Sequence, residues 1–452
     1  MKFAVRELDL FERDVRLRLP FRFGIVTLTA APQAFVRARI RLADGREASG
    51  AAAELLAPKW FDKNPAFSNE QNFDQLRSSL ALARDAYLAG GNNTAFGHFW
   101  AHYEPQTTAA AARGLNALVA CFGPALIDRA LLDALCRALG VSFYQAIKGN
   151  VAGITAPETQ GFLETLQPRR EIAARHTVGL VDAITSTEQR VNDGLPETLE
   201  EVVARYGHRW FKLKVSGDAG ADVARLTAIA SLLDRLPDYR VSLDGNEQYE
   251  NVEQVLELWR RMEAAPRLQR LVASVAFIEQ PIKRQNALAA DVSVLSSARP
   301  VIIDESDDTL DAFVRAKARG YRGVSSKTCK GIYKSLINAG RCRRWGSEYF
   351  MTGEDLTVQA GIALQQDLAL VSLLGLTHVE RNGHHYVNGM AGLPAAEQDA
   401  FLQAHPDLYE RSHGAVRTRI TKGQLAIGSL GCSGYASAAT PDWNQMREMN
   451  TR

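Results

Sequence analysis

The chain has 452 residues, 46% of them apolar and 23% charged, with a formal net charge of +2. That length allows one large barrel plus a second domain, and balanced, scattered charge without a basic stripe of interleaved aromatics excludes nucleic acid as the expected partner. Five cysteines, odd in number and without a Cys-x-x-Cys pair, argue against a disulfide framework or zinc site and suit a reducing compartment.

At the N-terminus, charges recur too often for a signal-peptide core, and no apolar run approaches membrane-spanning length, so a cytoplasmic protein without a membrane partner is expected. Residues 34–42 alternate apolar and polar, Asp44 and Gly45 supply a turn, and 47–51 resume the strand pattern. Residues 66–98 read as helical with a break at 90–93, and the Ala- and Leu-rich stretch 107–139 predicts a helix ending at Gly140. Strands followed by helices predict an α+β domain over residues 1–160.

From about His176 the rhythm changes to alternating strands and helices. Strands are predicted at 177–183, 209–214, 240–244, 274–279, 300–304, 322–327, 348–352 and 377–380. Helical stretches at 219–235, 251–264, 309–318, 332–344 and 357–374 lie between them, and Gly320 and Gly375 sit where helix ends take a left-handed residue. Eight strands with regular crossovers predict an α/β fold, a (β/α)8 TIM-type barrel over residues 176–385. The glycine-rich tail 386–452 is expected to be loop-rich and to pack back on the N-terminal domain.

Five side chains end short apolar runs: Lys214, Asp244, Glu279, Asp304 and Lys327, spaced 30, 35, 25 and 23 residues apart. One strand plus one crossover helix fits each interval, and a parallel barrel brings all its strand ends to one face. Asp244, Glu279 and Asp304 form a hard-oxygen set with no His or Cys nearby, which suits Mg²⁺ and not zinc. A single acid at a strand end is more often a cap or an ion-pair partner; three at matching positions favour a metal. Lys212 and Lys214 share one side of a strand, the barrel interior. A neighbouring ammonium and a divalent cation both lower a lysine pKa from about 10.4 towards that of a useful base. Lys327 would stand across the cup from Lys214, so that a proton leaves one face of a carbon and returns on the other. A surface Lys-x-Lys strand is the bland alternative.

Lys-x-Lys, Asp-x-Asn, Glu-Gln-Pro, Asp-Glu-Ser and the sixth-strand lysine together resemble the enolase superfamily, most closely its muconate-lactonizing-enzyme-like (mandelate racemase/muconate lactonizing enzyme) group. The resemblance covers residues 176–385 and implies a modified barrel with an N-terminal α+β capping (lid) domain. It also implies Mg²⁺ on Asp244, Glu279 and Asp304, with Lys214 and Lys327 as acid and base beside it, as that superfamily uses. Lys212 would bind the substrate carboxylate and lower the pKa of Lys214, while Asn246 and Glu305 orient ligands and lysines. Lid segments at 20–27 and 53–63 make Phe23, Lys59 and Trp60 candidate substrate contacts, with inter-domain packing of Phe23 and Trp60 the equal alternative. Glu354 adds negative charge near the cup and Glu380 ends the eighth strand. Arg381, or the histidines after it, would read the distal part of a substrate. His384 and His385 in tandem invite a metal reading, but adjacent residues rarely share one ion.

The expected activity is abstraction of the proton α to the carboxylate of a small molecule, giving a metal-stabilised enolate. Racemisation or epimerisation, β-elimination or cycloisomerisation would follow. The seventh strand offers no His, which counts against an acid-sugar dehydratase of the same superfamily. That dehydratase, a catalytically silent binding protein and a metal-assisted hydrolase or aldolase are the alternatives. Substrate identity and homo-oligomerisation stay open.

Overall fold

The computed structural model describes residues 1–24, 26–188 and 190–450. Three antiparallel strands open the chain: β1 (Phe3–Phe23), β2 (Val26–Leu42) and β3 (Glu47–Leu55). Helices α1 (Asn69–Ala89), α2 (Ala95–Ala112) and α3 (Ala117–Leu139) cover the sheet. Ser68 and Gln71 cap α1 reciprocally, and Gly140, in the left-handed region at φ 66°, closes α3. The helix predicted at 107–139 is two helices. Gly114 takes φ 73° between them, and Asn116 caps the second. Almost every side of α3 is buried, as its near-continuous apolar sequence requires. Gly50 of β3 lies against it so closely that a Cβ there would stand 2.2 Å from the Ala134 amide nitrogen.

The barrel follows: β4 (Glu171–Val178), β5 (Trp210–Lys214), β6 (Arg240–Asp244), β7 (Val275–Glu279), β8 (Val301–Ile303), β9 (Gly323–Ser326), β10 (Phe350–Gly353) and β11 (His378–Arg381). Each strand pairs in parallel with the next, and β11 pairs with β4 to close the cylinder. Crossover helices include α4 (Leu199–Tyr206), α5 (Ala219–Leu233), α6 (Val252–Ala264), α7 (Ile332–Trp345) and α8 (Ile362–Leu373). The first barrel strand lies six residues earlier than predicted. Its inward residues are Arg175 and Thr177, so it lacks an apolar stripe, and the apolar run after it drew the reading downstream.

The N-terminal end of the barrel interior is filled by Trp210, stacked 3.9 Å from His378, and by Phe277 beneath the Arg175 guanidinium. One apolar cluster runs from the N-terminal sheet through α3 to α7 and α8; a second fills the space between β5–β9 and their outer helices. The tail is less loop-rich than its glycines predict. It holds a helix (Ala395–Ala404), a hairpin (Tyr409–Ser412 with Ala415–Thr418), and a strand (Gln424–Ala426) paired with β4; its end, Arg447–Glu448, pairs with β1. No described helix is long and apolar enough to cross a membrane.

Candidate active site

Parallel register sets the side chains level before any contact is considered. Lys214 pairs with Asp244, and Asp244 with Glu279, across β5, β6 and β7. Asp304 and Lys327 each follow the last residue of their strands, β8 and β9, where the backbone turns out of the barrel. The turns are tightly specified. Gln280, at φ 33°, buries an amide whose oxygen accepts from the backbone N–H of Asp304 (2.9 Å) and of Ser306 (3.1 Å). Positive φ at a non-glycine residue costs about 1 kcal/mol or more, and here it aims the amide that holds the Asp304 backbone.

Five carboxylates (Asp244, Glu279, Asp304, Glu354, Glu380) and five cations (Arg175, Lys212, Lys214, Lys327, Lys330) therefore share the buried cup. In formal charge the set is neutral, which is what makes its burial tolerable. The Lys212 ammonium stands at its centre, 2.8 Å from Asp244, 2.9 Å from Glu279 and Glu354, and 3.0 Å from Glu380. Lys214 donates to Asp244 at 2.7 Å. Asp304 accepts from Lys327 at 2.5 Å, from Lys330 at 3.2 Å and from the Ser325 hydroxyl. Arg175 reaches Glu354 from below.

These pairings divide the acids. Burial works against an ionised Asp304, yet the ammoniums of Lys327, Lys330 and Lys212 outweigh it and hold Asp304 well below the usual carboxylate range. Asp244 is lowered in the same way, by Lys212 and Lys214 against burial. Glu279 goes the other way: burial, then the charge of Glu354, push it well above the usual range. Lys212 and Lys327 are both raised, since their carboxylate partners overcome the burial that opposes their charge. For Lys327 this is the reverse of the lowering expected of a lysine base.

Lys212, Lys214 and Lys327 line one cavity of about 30 Å³ with Asn246, Glu380 and the cap residues Phe21, Phe23, Leu28 and Trp60. The Lys327 ammonium sits 4.3 Å from the centre of the Trp60 ring, a cation–π contact. Asn246 receives the Asp244 carboxylate on its backbone N–H (2.8 Å) and donates through its side chain to Glu305 (3.2 Å). Glu354 is buried beneath the cavity between Arg175 and Lys212. Two predicted residues lie elsewhere. The Lys59 ammonium donates to the carbonyls of Asn64 and Phe67 within its own loop. Arg381 alternates with the inward Glu380, so it faces out of the barrel, where it pairs with Asp355 and Asp367 at 3.4 Å.

Three residues outside the sequence-based set belong to this network. Lys63, not Lys59, crosses from the cap to the barrel, meeting Glu247 at 2.6 Å and Glu305 at 3.2 Å. Lys330 was visible as the second lysine of Lys-Thr-Cys-Lys. Arg175 gave no signal, because an inward arginine leaves no periodic trace.

The donor set suits a hard cation, and one observation is specific to it. Glu279 is fully buried between Asp244 and Asp304, and its Oε2 makes no hydrogen bond, although the Lys212 ammonium stands 2.9 Å away. The three carboxylates are not drawn to one point. Among the described residues, the only three His, Cys, Asp or Glu side chains whose ligand atoms lie within 4.8 Å of one another are His176, His208 and His384. Asp244 and Glu279 both close on the Lys212 ammonium while Asp304 pairs with Lys327 and Lys330, so gathering the three around Mg²⁺ requires Lys212 to yield its central position.

Residues 194–407 match the family described as enolase C-terminal domain-like. No curated protein sequence matches the chain. Solved structures similar to it include 2-chloromuconate cycloisomerase from Rhodococcus opacus 1CP, at 17% identity and TM-score 0.62, covering 98% of each chain. Muconate lactonizing enzyme from Pseudomonas fluorescens, complexed with muconolactone, is similar at 17% identity and TM-score 0.61, again over 98% of each. An enolase from Bradyrhizobium complexed with magnesium and mandelic acid matches at 15% identity and TM-score 0.62, over 98% of each. At such identities the structural likeness establishes the shared fold, a closed eight-stranded parallel barrel with an N-terminal antiparallel sheet domain.

Proposed function

From the match of residues 194–407 to the enolase C-terminal domain-like family and the shared fold, we propose that the chain belongs to that family and is a Mg²⁺-dependent enzyme that removes the proton α to a substrate carboxylate. One observation carries the reading: Lys214 and Lys327, four strands apart around an eight-stranded barrel, line the same cavity under the aromatic side chains of the cap. Asp244, Glu279 and Asp304 are the residues that would hold the ion. Bound there, Mg²⁺ supplies positive charge to the substrate carboxylate as negative charge develops on it.

Lys214 takes the α-proton from one face. Lys327, held protonated by Asp304, delivers a proton to the other. Lys212 steers the carboxylate, and Phe21, Phe23 and Trp60 exclude water from the reacting carbon. Two opposed lysines favour racemisation or epimerisation; use of Lys214 alone gives β-elimination or cycloisomerisation.

The cavity holds no more than two or three water-sized groups, so substrate enters as the cap lifts. A larger opening of about 860 Å³ that shares Phe23 with it is lined by Lys59, Lys63 and Arg284 together with Asp62, Glu247 and Asp308. Muconolactone and mandelic acid in the similar structures point to a small carboxylate.

The test is solvent exchange. Small carboxylic acids (N-acylated amino acids, dipeptides, cyclohexadiene-type acids, hydroxy acids) are incubated with enzyme and Mg²⁺ in D₂O while the α-proton signal is followed by NMR. Exchange is expected for one class, with Lys214→Ala slowing it about 10²–10⁴-fold. Release of fragments without exchange, or exchange unaffected by Lys214→Ala and Lys327→Ala, sinks the reading.

A further inference from the structure

A second group of chemistry-bearing side chains lies outside the cup, on the outer surface of the barrel. His176 sits on β4 between the inward Arg175 and Thr177, so its ring points outward. His208 occupies the short link between α4 and β5, and His384 follows β11. The three segments are neighbours around the barrel wall, since β4 pairs with both β5 and β11. One ring nitrogen from each histidine lies within 4.8 Å of the other two.

Two details distinguish this trio from ordinary packed histidines. His176 Nδ1 and His384 Nε2 are 3.3 Å apart, sharing a hydrogen bond in the metal-free protein. A tetrahedral ion with metal–nitrogen bonds of about 2.0–2.1 Å sets its ligand nitrogens about 3.3–3.4 Å apart. His208 Nδ1 lies 2.9 Å from the Ala174 carbonyl, to which it donates. That fixes the tautomer, and the lone pair of Nε2, in a fully buried ring, has no partner. A backbone carbonyl behind a histidine is the usual outer-shell support of a metal ligand.

We propose that His176, His208 and His384 bind one Zn²⁺-class divalent ion, a structural clamp across the seam where the barrel closes. Imidazole nitrogens suit Zn²⁺, Cu²⁺ and Ni²⁺ and discriminate against Mg²⁺, so the site is chemically independent of the carboxylate cup. His384 also lines a cavity of about 20 Å³ with Tyr206, Arg381 and Arg417, room for about one water beside that ring. Burial drives all three imidazoles towards the neutral form that ligates, His208 down to about 4. The Arg18 guanidinium lies nearby, but its charge is matched by Asp193 at 2.5 Å.

The test uses the full-length protein, freed of metal with a chelator and titrated with Co²⁺ in a large excess of Mg²⁺. Expected are one equivalent of Co²⁺ with the visible absorption of a tetrahedral site, its displacement by Zn²⁺, and a raised unfolding temperature with Zn²⁺. Asp244→Asn combined with Glu279→Gln should leave the band intact. His208→Ala, and separately His384→Asn, should weaken binding beyond the roughly 10–100-fold that loss of an outer-shell partner costs. Wild-type protein that takes up no tetrahedral Co²⁺ under these conditions overturns the proposal, whatever the variants do. So does a band that survives in either folded histidine variant, since Co²⁺ would then sit elsewhere.

Discussion

Glu247→Gln is the perturbation that best tests how the cap is fastened to the barrel. Glu247 is buried at φ 68° just beyond β6 and accepts from the Arg284 backbone N–H (2.7 Å), from Arg284 Nε (2.8 Å) and Nη2 (2.7 Å), and pairs with Lys63 at 2.6 Å. Arg284 in turn donates to the carbonyls of Trp60 (2.9 Å) and Phe61 (2.8 Å) in the cap. One carboxylate thus anchors both cations that hold the loop carrying Trp60.

Burial opposes the ionised form of Glu247, but the hydrogen bonds from Arg284 and the charge of Lys63 outweigh it and lower its pKa from 4.5 to about 2. A shift of that size corresponds to about 3 kcal/mol. Because the folded-state pKa is depressed, the contribution is fully present above about pH 4.5 and is lost as pH falls towards 2. The variant lacks the charge at every pH. Urea unfolding of both proteins at neutral pH should therefore differ by about 3 kcal/mol, and the gap should narrow steadily below pH 4.5. Amide exchange in residues 60–64 should accelerate in the variant at neutral pH. A gap that is already small at neutral pH, or that stays constant into acid, refutes the account of the seam.

Three further outcomes follow from the same geometry. Lys212→Met leaves Asp244, Glu279, Glu354 and Glu380 without their shared counter-charge, and chemical denaturation should show a loss of about 3–5 kcal/mol. Gly50→Ala drives a Cβ into the α3 backbone at Ala130 and Ala134, so calorimetry should register at least the 1–3 kcal/mol of a typical overpacked site. Mg²⁺ at a hundred times its dissociation constant should stabilise the wild-type protein by about 2.7 kcal/mol, and the thermal shift should vanish in the Asp244→Asn, Glu279→Gln double variant.

The barrel was legible because strands such as Val275–Glu279 and Val301–Ile303 are short apolar runs at regular crossover spacing, and because a parallel cylinder has no freedom in where strand ends point. Lys214, Asp244, Glu279, Asp304 and Lys327 could be placed on one face from spacing alone, before any contact was known. The first strand was misplaced for the opposite reason: Arg175 and Thr177 face a charged interior, so hydrophobic periodicity had nothing to report.

Contacts made by loops obey no such rule. Lys59 and Lys63 are equally plausible in the sequence, and only the path of the loop turns Lys59 onto its own carbonyls and carries Lys63 across to Glu247 and Glu305. Arg381 differs from Glu380 by one position, yet strand alternation sends one out of the barrel and the other into the cup. His176, His208 and His384 come from three separate segments, and the pair that invited a metal reading, His384 with His385, is not the set that converges. The sequence by itself determined the cylinder and the ring of acids and lysines, since strand period and crossover length are local properties. Tertiary structure alone decided which ammonium meets which carboxylate and which imidazoles meet each other, because those depend on loop paths and barrel closure, to which residues distant in the chain contribute together.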